Sequence, residues 1–144
     1  MEKTMQSKLN PYISFNGNAR EAMEFYKTVF GGKLELTTFK EGGMAQNQAD
    51  ADQIMHGILV AENGITLMGA DTADGMEYNR GTNISISLSG DNEAELSGYY
   101  NQLANGGIVA QPLVKAPWGD TFGMLTDKFG IFWMVNIAGK QSQN

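Results

Sequence analysis

The most constraining feature of the chain is an internal repeat, in which each half holds an amphipathic stretch followed by a pair of glycines. The apolar positions of both stretches are spaced i, i+3, i+4, i+7 and i+8, which is typical of one buried helical face. The two predicted helices align without a gap, so each apolar position of the first has a counterpart in the second. Their apolar faces are Ala22, Phe25, Tyr26, Val29 and Phe30 in the first half, and Leu96, Tyr99, Tyr100, Leu103 and Ala104 in the second.

Both helices are predicted to begin with a capping box and to end on glycine. Asn18 and Asn92 are each followed three residues later by a glutamate, so the amide oxygen can accept from an orphan N–H while the carboxylate reaches back. Gly31-Gly32 and Gly106-Gly107 then supply the left-handed residues with which helices often end.

Each half also finishes with a similar hairpin. Gly64 and Gly130 are counterparts in the two hairpins and stand where a three-residue loop needs a left-handed residue. If Ala61 pairs with Ile65 across the first loop, one sheet face is shared by His56, Ile58, Val60, Thr66 and Met68.

The repeat predicts an α+β protein made of two tandem βαβββ modules within a single domain, residues 1–144. The modules are expected at about 10–70 and 80–138, with the polar segment from Asp71 to Arg80 as their connector. Their first strands are predicted at Tyr12 to Phe15 and Ile84 to Leu88, because apolar and small polar residues alternate there.

Composition and charge exclude several classes of partner and site. The chain has no cysteine, so disulfides and thiolate metal sites are absent, and its net charge is −6 with the basic residues scattered singly. Nucleic acid and anionic membranes are therefore poor partners. The longest apolar run, Ile131 to Val135, is far shorter than the ~20 residues of a membrane-spanning helix, and residues 1–10 are too polar for a secretory signal. We expect a cytoplasmic location.

Two motifs lie near the beginning of the first module and the end of the second, FNGNAREAMEFYKTVFGG and WGDTFGMLTDKFGIFWMVN. Together with the repeat they resemble the glyoxalase/bleomycin-resistance/dioxygenase superfamily, also called vicinal oxygen chelate, and within it the PhnB-like group. The resemblance covers about Pro11 to Ile137. It implies that the curved sheets of the two modules enclose a cup, usually within a homodimer.

In metal-dependent members of that superfamily, four ligands line the cup. The resemblance puts the two histidine positions on Asn10 and Asn83, and the two carboxylate positions on Met68 and Met134. Amides and thioethers are a poor ligand set for hard or borderline divalent ions. We therefore expect a metal-free cup and no cofactor.

Other side chains could still carry chemistry at the cup. The lone histidine, His56, could act as a general base or bind a ligand by hydrogen bonding, or it could be a partly buried histidine satisfied by a tyrosine or a carbonyl. Ser14, Ser85, Ser87 and Tyr12 are predicted to face the cup, and Trp118 could close one end of it.

The sequence thus predicts a PhnB-like protein that binds a small organic molecule, with its enzymatic activity left open. One alternative is a metal-dependent lyase or dioxygenase of the same superfamily. Another is a methyltransferase, as the group is sometimes labelled, although no glycine-rich strand-to-helix loop is present to seat S-adenosylmethionine. A third is an interaction dimer whose cup is filled by its own side chains.

Overall fold

The computed structural model describes residues 7–139 and contains the predicted βαβββ order twice. One compact unit ends at Arg80 and the other begins at Gly81. Within the described residues no helix is long and apolar enough to cross a membrane. The first module consists of β1 (Tyr12–Phe15), α1 (Ala19–Phe30), β2 (Lys33–Thr38), β3 (Ile54–Val60) and β4 (Thr66–Asp71). The second consists of β5 (Ile86–Gly90), α2 (Glu93–Ala104), β6 (Ile108–Lys115), β7 (Thr121–Thr126) and β8 (Phe132–Ile137).

Each module forms one four-stranded sheet with the same topology. The strand orders are β1-β4-β3-β2 and β5-β8-β7-β6, and in both sheets the first strand runs parallel to the last while the other pairs are antiparallel. The predicted hairpin is confirmed, because Ala61 N donates to Ile65 O at 2.8 Å and Gly64 has φ +91°. The second hairpin matches it, with φ +86° at Gly130.

Helix α1 covers one face of the first sheet at close range. Gly57 and Gly69 are partners on β3 and β4, and a Cβ on Gly69 would lie 3.1 Å from the sulfur of Met23 on α1. In the second sheet a Cβ on Gly123 would lie 2.7 Å from Cε2 of Tyr100 on α2. Gly69 and Gly123 thus let the helices pack closely on their sheets. Each module has one helix, so the opposite face of each sheet is not covered by a helix of the same module.

Tyr100 shows how the second helix is fixed on its sheet. Its hydroxyl donates to the carbonyl oxygen of Gln111 on β6 at 2.7 Å, and burial of the ring raises the pKa of this hydroxyl. The buried residues of α2 are Leu96, Tyr100 and Leu103, as the apolar spacing predicts. Tyr99 and Ala104, on the border of that face, are half-buried.

The start of α1 differs from the prediction. The side chain of Asn18 makes no capping hydrogen bond. Asp71 caps the helix instead, because its Oδ1 accepts from Gly17 N at 2.8 Å and from Ala19 N at 3.0 Å, while its Oδ2 accepts from Ile54 N at 2.9 Å. Asp71, expected in the connector, is the last residue of β4 and only 5% exposed.

The second module keeps the predicted cap but shifts its first strand. Asn92 Oδ1 accepts from Glu95 N at 3.1 Å, so the amide half of the second capping box is confirmed. Strand β5 begins at Ile86 and reaches Gly90, two residues later than the predicted span from Ile84 to Leu88. Ile84 is 77% exposed, because it precedes the segment that pairs with β8.

We predict that Asp71→Asn lowers the free energy of unfolding by about 1–3 kcal/mol, because the new amide nitrogen cannot accept a buried backbone N–H. Urea unfolding followed by circular dichroism measures the change. The matched control is Asp52→Asn, an exposed carboxylate in the same module, which should change stability by no more than about 0.5 kcal/mol. Equal losses in the two variants would contradict the role given to Asp71.

Candidate functional site

The uncovered face of the first sheet carries most of the predicted site residues of that module. Tyr12 and Ser14 on β1 are partners of Met68 and Ala70 on β4, and Met68 is in turn the partner of Ile58 on β3. Since side chains two residues apart share a face, His56 lies on this side with Ile58. We call the group formed by Tyr12, Ser14, His56, Ile58 and Met68 the first open face.

His56 and Tyr12 make a direct polar contact on the first open face. The Tyr12 hydroxyl lies 3.2 Å from His56 Nδ1, and the two rings are 5.8 Å apart at their centroids with an angle of 34°. Tyr12 is 51% exposed and His56 is half-buried, so a molecule resting on the sheet can reach both. The pair can donate, accept or exchange a proton beside the apolar side chains of Ile58 and Met68.

The uncovered face of the second sheet is richer in aromatic and thioether groups. Met134 on β8 is the partner of Met124 on β7 and of Ser87 on β5, while Phe122 is the partner of Asn136. We call this group, formed by Ser87, Phe122, Met124, Met134 and Asn136, the second open face. Its β7 and β8 members are half-buried, and their neighbours Leu125, Trp133 and Val135 point to the helix side and are buried.

Trp118 lies at the border of the second open face. Its ring meets Phe122 edge-on, with centroids 6.1 Å apart, and it remains 63% exposed. Asp120 fixes the turn that carries it, because its Oδ1 accepts from Gly139 N at 2.8 Å and its Oδ2 accepts from Asn136 Nδ2 at 2.9 Å. Trp118 is therefore an exposed aromatic ring on a hydrogen-bonded turn.

The strand register changes one of the predicted ligand positions. Tyr12 pairs with Met68 and Ser87 pairs with Met134, so the counterpart of Tyr12 in the second module is Ser87. The counterpart of Asn10, which lies half-buried just before β1, is then Ser85 and not Asn83. Asn83 is exposed in the bend before β5, and Ser85 is exposed immediately before that strand.

Phe122 and Asn136 are open-face residues that the sequence analysis missed. Strand alternation could have identified them, because Phe122 lies two residues from Met124 and Asn136 lies two residues from Met134. Asn136 gives this face an amide group that already bonds Asp120.

The donor set does not fit the metal chemistry of the superfamily. With the strand register applied, the four predicted ligand positions hold an amide at Asn10, a hydroxyl at Ser85 and thioethers at Met68 and Met134. Among residues 7–139 no group of three or more histidines, aspartates or glutamates is arranged to hold a metal ion. Hard divalent ions need carboxylate oxygen or imidazole, so no reaction step through a metal follows from these residues.

A cleft of about 260 Å³ also lies beside the start of α1, within the first module. Arg20, Asp52, Gln53 and Asp71 are among the residues that line it. Both carboxylate oxygens of Asp71 already accept backbone N–H groups. The negative group that the helix N-terminus favours is therefore the Asp71 side chain and not a bound anion. The Asp71 carboxylate in the lining of this cleft is therefore structural.

Comparison with known proteins gives matches over nearly the whole chain. A family model described as 3-demethylubiquinone-9 3-methyltransferase matches residues 7–136. Protein PA1353 from Pseudomonas aeruginosa is 41% identical, with a TM-score of 0.78 over 92% of this chain and 98% of that one. A PhnB protein from Bacillus cereus is 25% identical, with a TM-score of 0.72 over 92% and 100% of the two chains.

Two further matches extend the comparison. Protein YjdN of Escherichia coli (strain K12) is 28% identical over 143 residues, which span 92% of this chain and 97% of that protein. A glyoxylase/bleomycin resistance protein/dioxygenase domain from Frankia sp. EAN1pec has a TM-score of 0.65 at 12% identity, over 95% of each chain. At that identity the likeness concerns the fold alone.

We predict that neutral His56 carries its proton on Nε2, because the Tyr12 hydroxyl then donates to Nδ1. Long-range ¹H–¹⁵N NMR spectra at alkaline pH distinguish the two tautomers. Tyr12→Phe should shift the imidazole signals toward a tautomer mixture. Tyr78→Phe, which alters an exposed tyrosine in the segment after β4, should leave them unchanged. A neutral ring protonated on Nδ1 would contradict this assignment.

Proposed function

The chain belongs to the 3-demethylubiquinone-9 3-methyltransferase family, a PhnB-like branch of the vicinal oxygen chelate superfamily, and we propose that it binds a small organic molecule on its open sheet faces without a metal. The observation that carries the proposal is the contact between Tyr12 and His56 on the first open face. It puts the only histidine of the chain beside the half-buried side chains of Ile58 and Met68, on a face where a ligand can reach it.

The chemistry of the two faces indicates the class of ligand. Binding sites for small molecules are mostly apolar with a few directed polar groups, which describes Tyr12 and His56 beside Ile58 and Met68. On the second open face, Phe122 and the thioethers of Met124 and Met134 favour flat, polarisable surfaces. We therefore propose a planar, largely apolar ligand that has at least one hydrogen-bonding group for His56.

We propose binding and not methyl transfer, although the family is described as a methyltransferase family. The loop between β1 and α1 has a single glycine, Gly17, and its N–H donates to Asp71 Oδ1. A carboxylate of the protein thus occupies the helix N-terminus, where a bound anionic group would otherwise be held. The metal-dependent lyase or dioxygenase alternative lacks support too, because its ligand positions carry amide, hydroxyl and thioether groups.

We also propose that the protein is a homodimer. Strand β6 is an edge of the second sheet, and its Ile108, Val109 and Val114 side chains are exposed. Exposed apolar side chains on an open sheet edge favour association, and a second copy of the chain would cover them. A cytoplasmic location also remains part of this proposal.

We predict that planar aromatic probes bind to the first open face. In methyl NMR spectra of methionine-labelled protein, phenol, indole and benzoate serve as probes. The Met68 methyl signal should shift, while the signal of Met23 stays in place because this α1 side chain is fully buried against the other face of the same sheet. His56→Ala should weaken the binding of the most tightly bound probe by about 5- to 10-fold, since it removes the directed hydrogen bond.

Two methionines give the control for unspecific binding. Met44 and Met76 are 61% and 70% exposed outside the strands, so they report contact with any surface. Shifts confined to Met44 and Met76, or shifts at Met68 that His56→Ala leaves unaltered, would contradict the proposed site. Met134 reports the second open face independently.

Native mass spectrometry of protein purified from its own host tests the remaining parts of the proposal. We predict a species of twice 15.7 kDa. It should carry a small organic molecule and much less than one transition-metal ion per chain, because no suitable donor set is present among the described residues. A monomer would contradict the dimer, and a stoichiometric metal ion would contradict the metal-free site.

A further inference from the structure

The chain contains three Asn-Gly dipeptides, Asn16-Gly17, Asn63-Gly64 and Asn105-Gly106. An asparagine before glycine loses its side-chain amide more readily than other asparagines, because glycine has no Cβ to hinder attack by its own backbone nitrogen. The three dipeptides are alike in sequence but differ in their hydrogen bonds. We infer that Asn105 is a site of spontaneous deamidation in the folded protein and that the fold protects Asn16 and Asn63.

The reaction needs only water and base. The backbone nitrogen of Gly106 loses its proton to hydroxide and attacks Cγ of Asn105, so that a new N–C bond closes a five-membered imide. The Cγ–Nδ2 bond breaks, and the nitrogen leaves as ammonia after taking a proton from water. Water then opens the imide at either carbonyl, which restores the Gly106 N–H and leaves aspartate or isoaspartate at position 105. No oxidant or reductant takes part.

The attacking nitrogens of the other two dipeptides are held by hydrogen bonds. Gly17 N donates to Asp71 Oδ1 at 2.8 Å, and Gly64 N donates to Ala61 O at 3.0 Å. A backbone N–H that donates a hydrogen bond must break this bond before its nitrogen can lose the proton and attack. The bond at Gly17 opposes the reaction most strongly, because its acceptor is a buried carboxylate that would repel the developing negative charge.

Asn105-Gly106 lacks this protection. Both residues are exposed in the turn between α2 and β6, and the Gly106 N–H makes no hydrogen bond to any of the described residues. The backbone N–H of Asn105 donates to Gln102 O, but its side-chain amide has no partner within the same range of the chain. Ring closure also requires rotation about the Asn105 ψ of 117°, and the neighbouring turn bond, from Gly107 N to Ala104 O, does not engage the attacking nitrogen.

The modification would change the end of α2. It adds one negative charge to a chain of net charge −6, at the helix end where the backbone dipole is already negative. The last turn of α2 has no basic residue to offset the new carboxylate. Isoaspartate would also lengthen the backbone just before β6. Deamidation at Asn105 is therefore expected to loosen the connection between α2 and the edge strand.

Tryptic peptide mass spectrometry tests the inference on the intact chain. Arg20, Lys40, Arg80 and Lys115 separate the three dipeptides into different peptides, so one digest reports all three rates. The full chain is incubated at mildly alkaline pH below its melting temperature, and in parallel in concentrated urea. We expect Asn105 to react roughly tenfold faster than Asn16 in the folded protein, and the three rates to converge in urea.

Variants separate the hydrogen-bond argument from a general effect of exposure. Asp71→Asn replaces the carboxylate that accepts from Gly17 N, so Asn16 should react faster in this variant while Asn105 keeps its rate. Asn105→Gln should abolish the acidic species that forms first on ageing. If Asn16 or Asn63 reacts as fast as Asn105 in the folded wild-type chain, the inference is wrong. The wild-type comparison decides this even where Asp71→Asn does not fold.

Discussion

The first module depends on one buried carboxylate. Asp71 ends β4 and accepts three backbone N–H groups, from Gly17 in the loop after β1, from Ala19 at the start of α1 and from Ile54 at the start of β3. Each bond to a charged acceptor is stronger than a neutral one, and the three donors come from separate segments. Asp71 thereby fixes where α1 begins, and the absence of a Cβ at Gly69 lets Met23 of that helix pack closely on the sheet.

The two modules reach one topology with different buried carboxylates. When the two hairpins are aligned, the counterpart of Asp71 is Ile137, and α2 is capped by its own Asn92. Conversely, Asp127 accepts from Phe129 N, Ile131 N and Trp133 Nε1 in the second hairpin, where the first hairpin has Ala61. The repeat therefore preserves the apolar pattern and the turn glycines, while the polar anchors of each module are its own.

This difference explains what could be predicted from the sequence. The helices and hairpins followed from local spacing, because the residues that define them are near neighbours in the chain, and the predicted family is the one that the comparisons show. The cap of α1 could not be predicted from neighbouring residues. Asp71 accepts a hydrogen bond from Ala19 N but lies 52 residues further along the chain. One predicted ligand position shifts for a related reason. The register of a first strand is set by pairing with the last strand of its module, and this register relates Asn10 to Ser85 instead of Asn83.

The covered and open faces of the sheets differ in how strictly they limit the amino acids at each position. On the covered side, a Cβ on Gly69 would approach Phe15 of β1 and Met23 of α1, and a Cβ on Gly123 would collide with Tyr100 of α2. Close packing therefore limits which residues these positions accept. The open side carries half-buried and exposed groups with few such limits. The predicted ligand positions on that side hold thioether, amide and hydroxyl groups. A polar contact such as that between Tyr12 and His56 can then give the face a chemistry that does not depend on a metal.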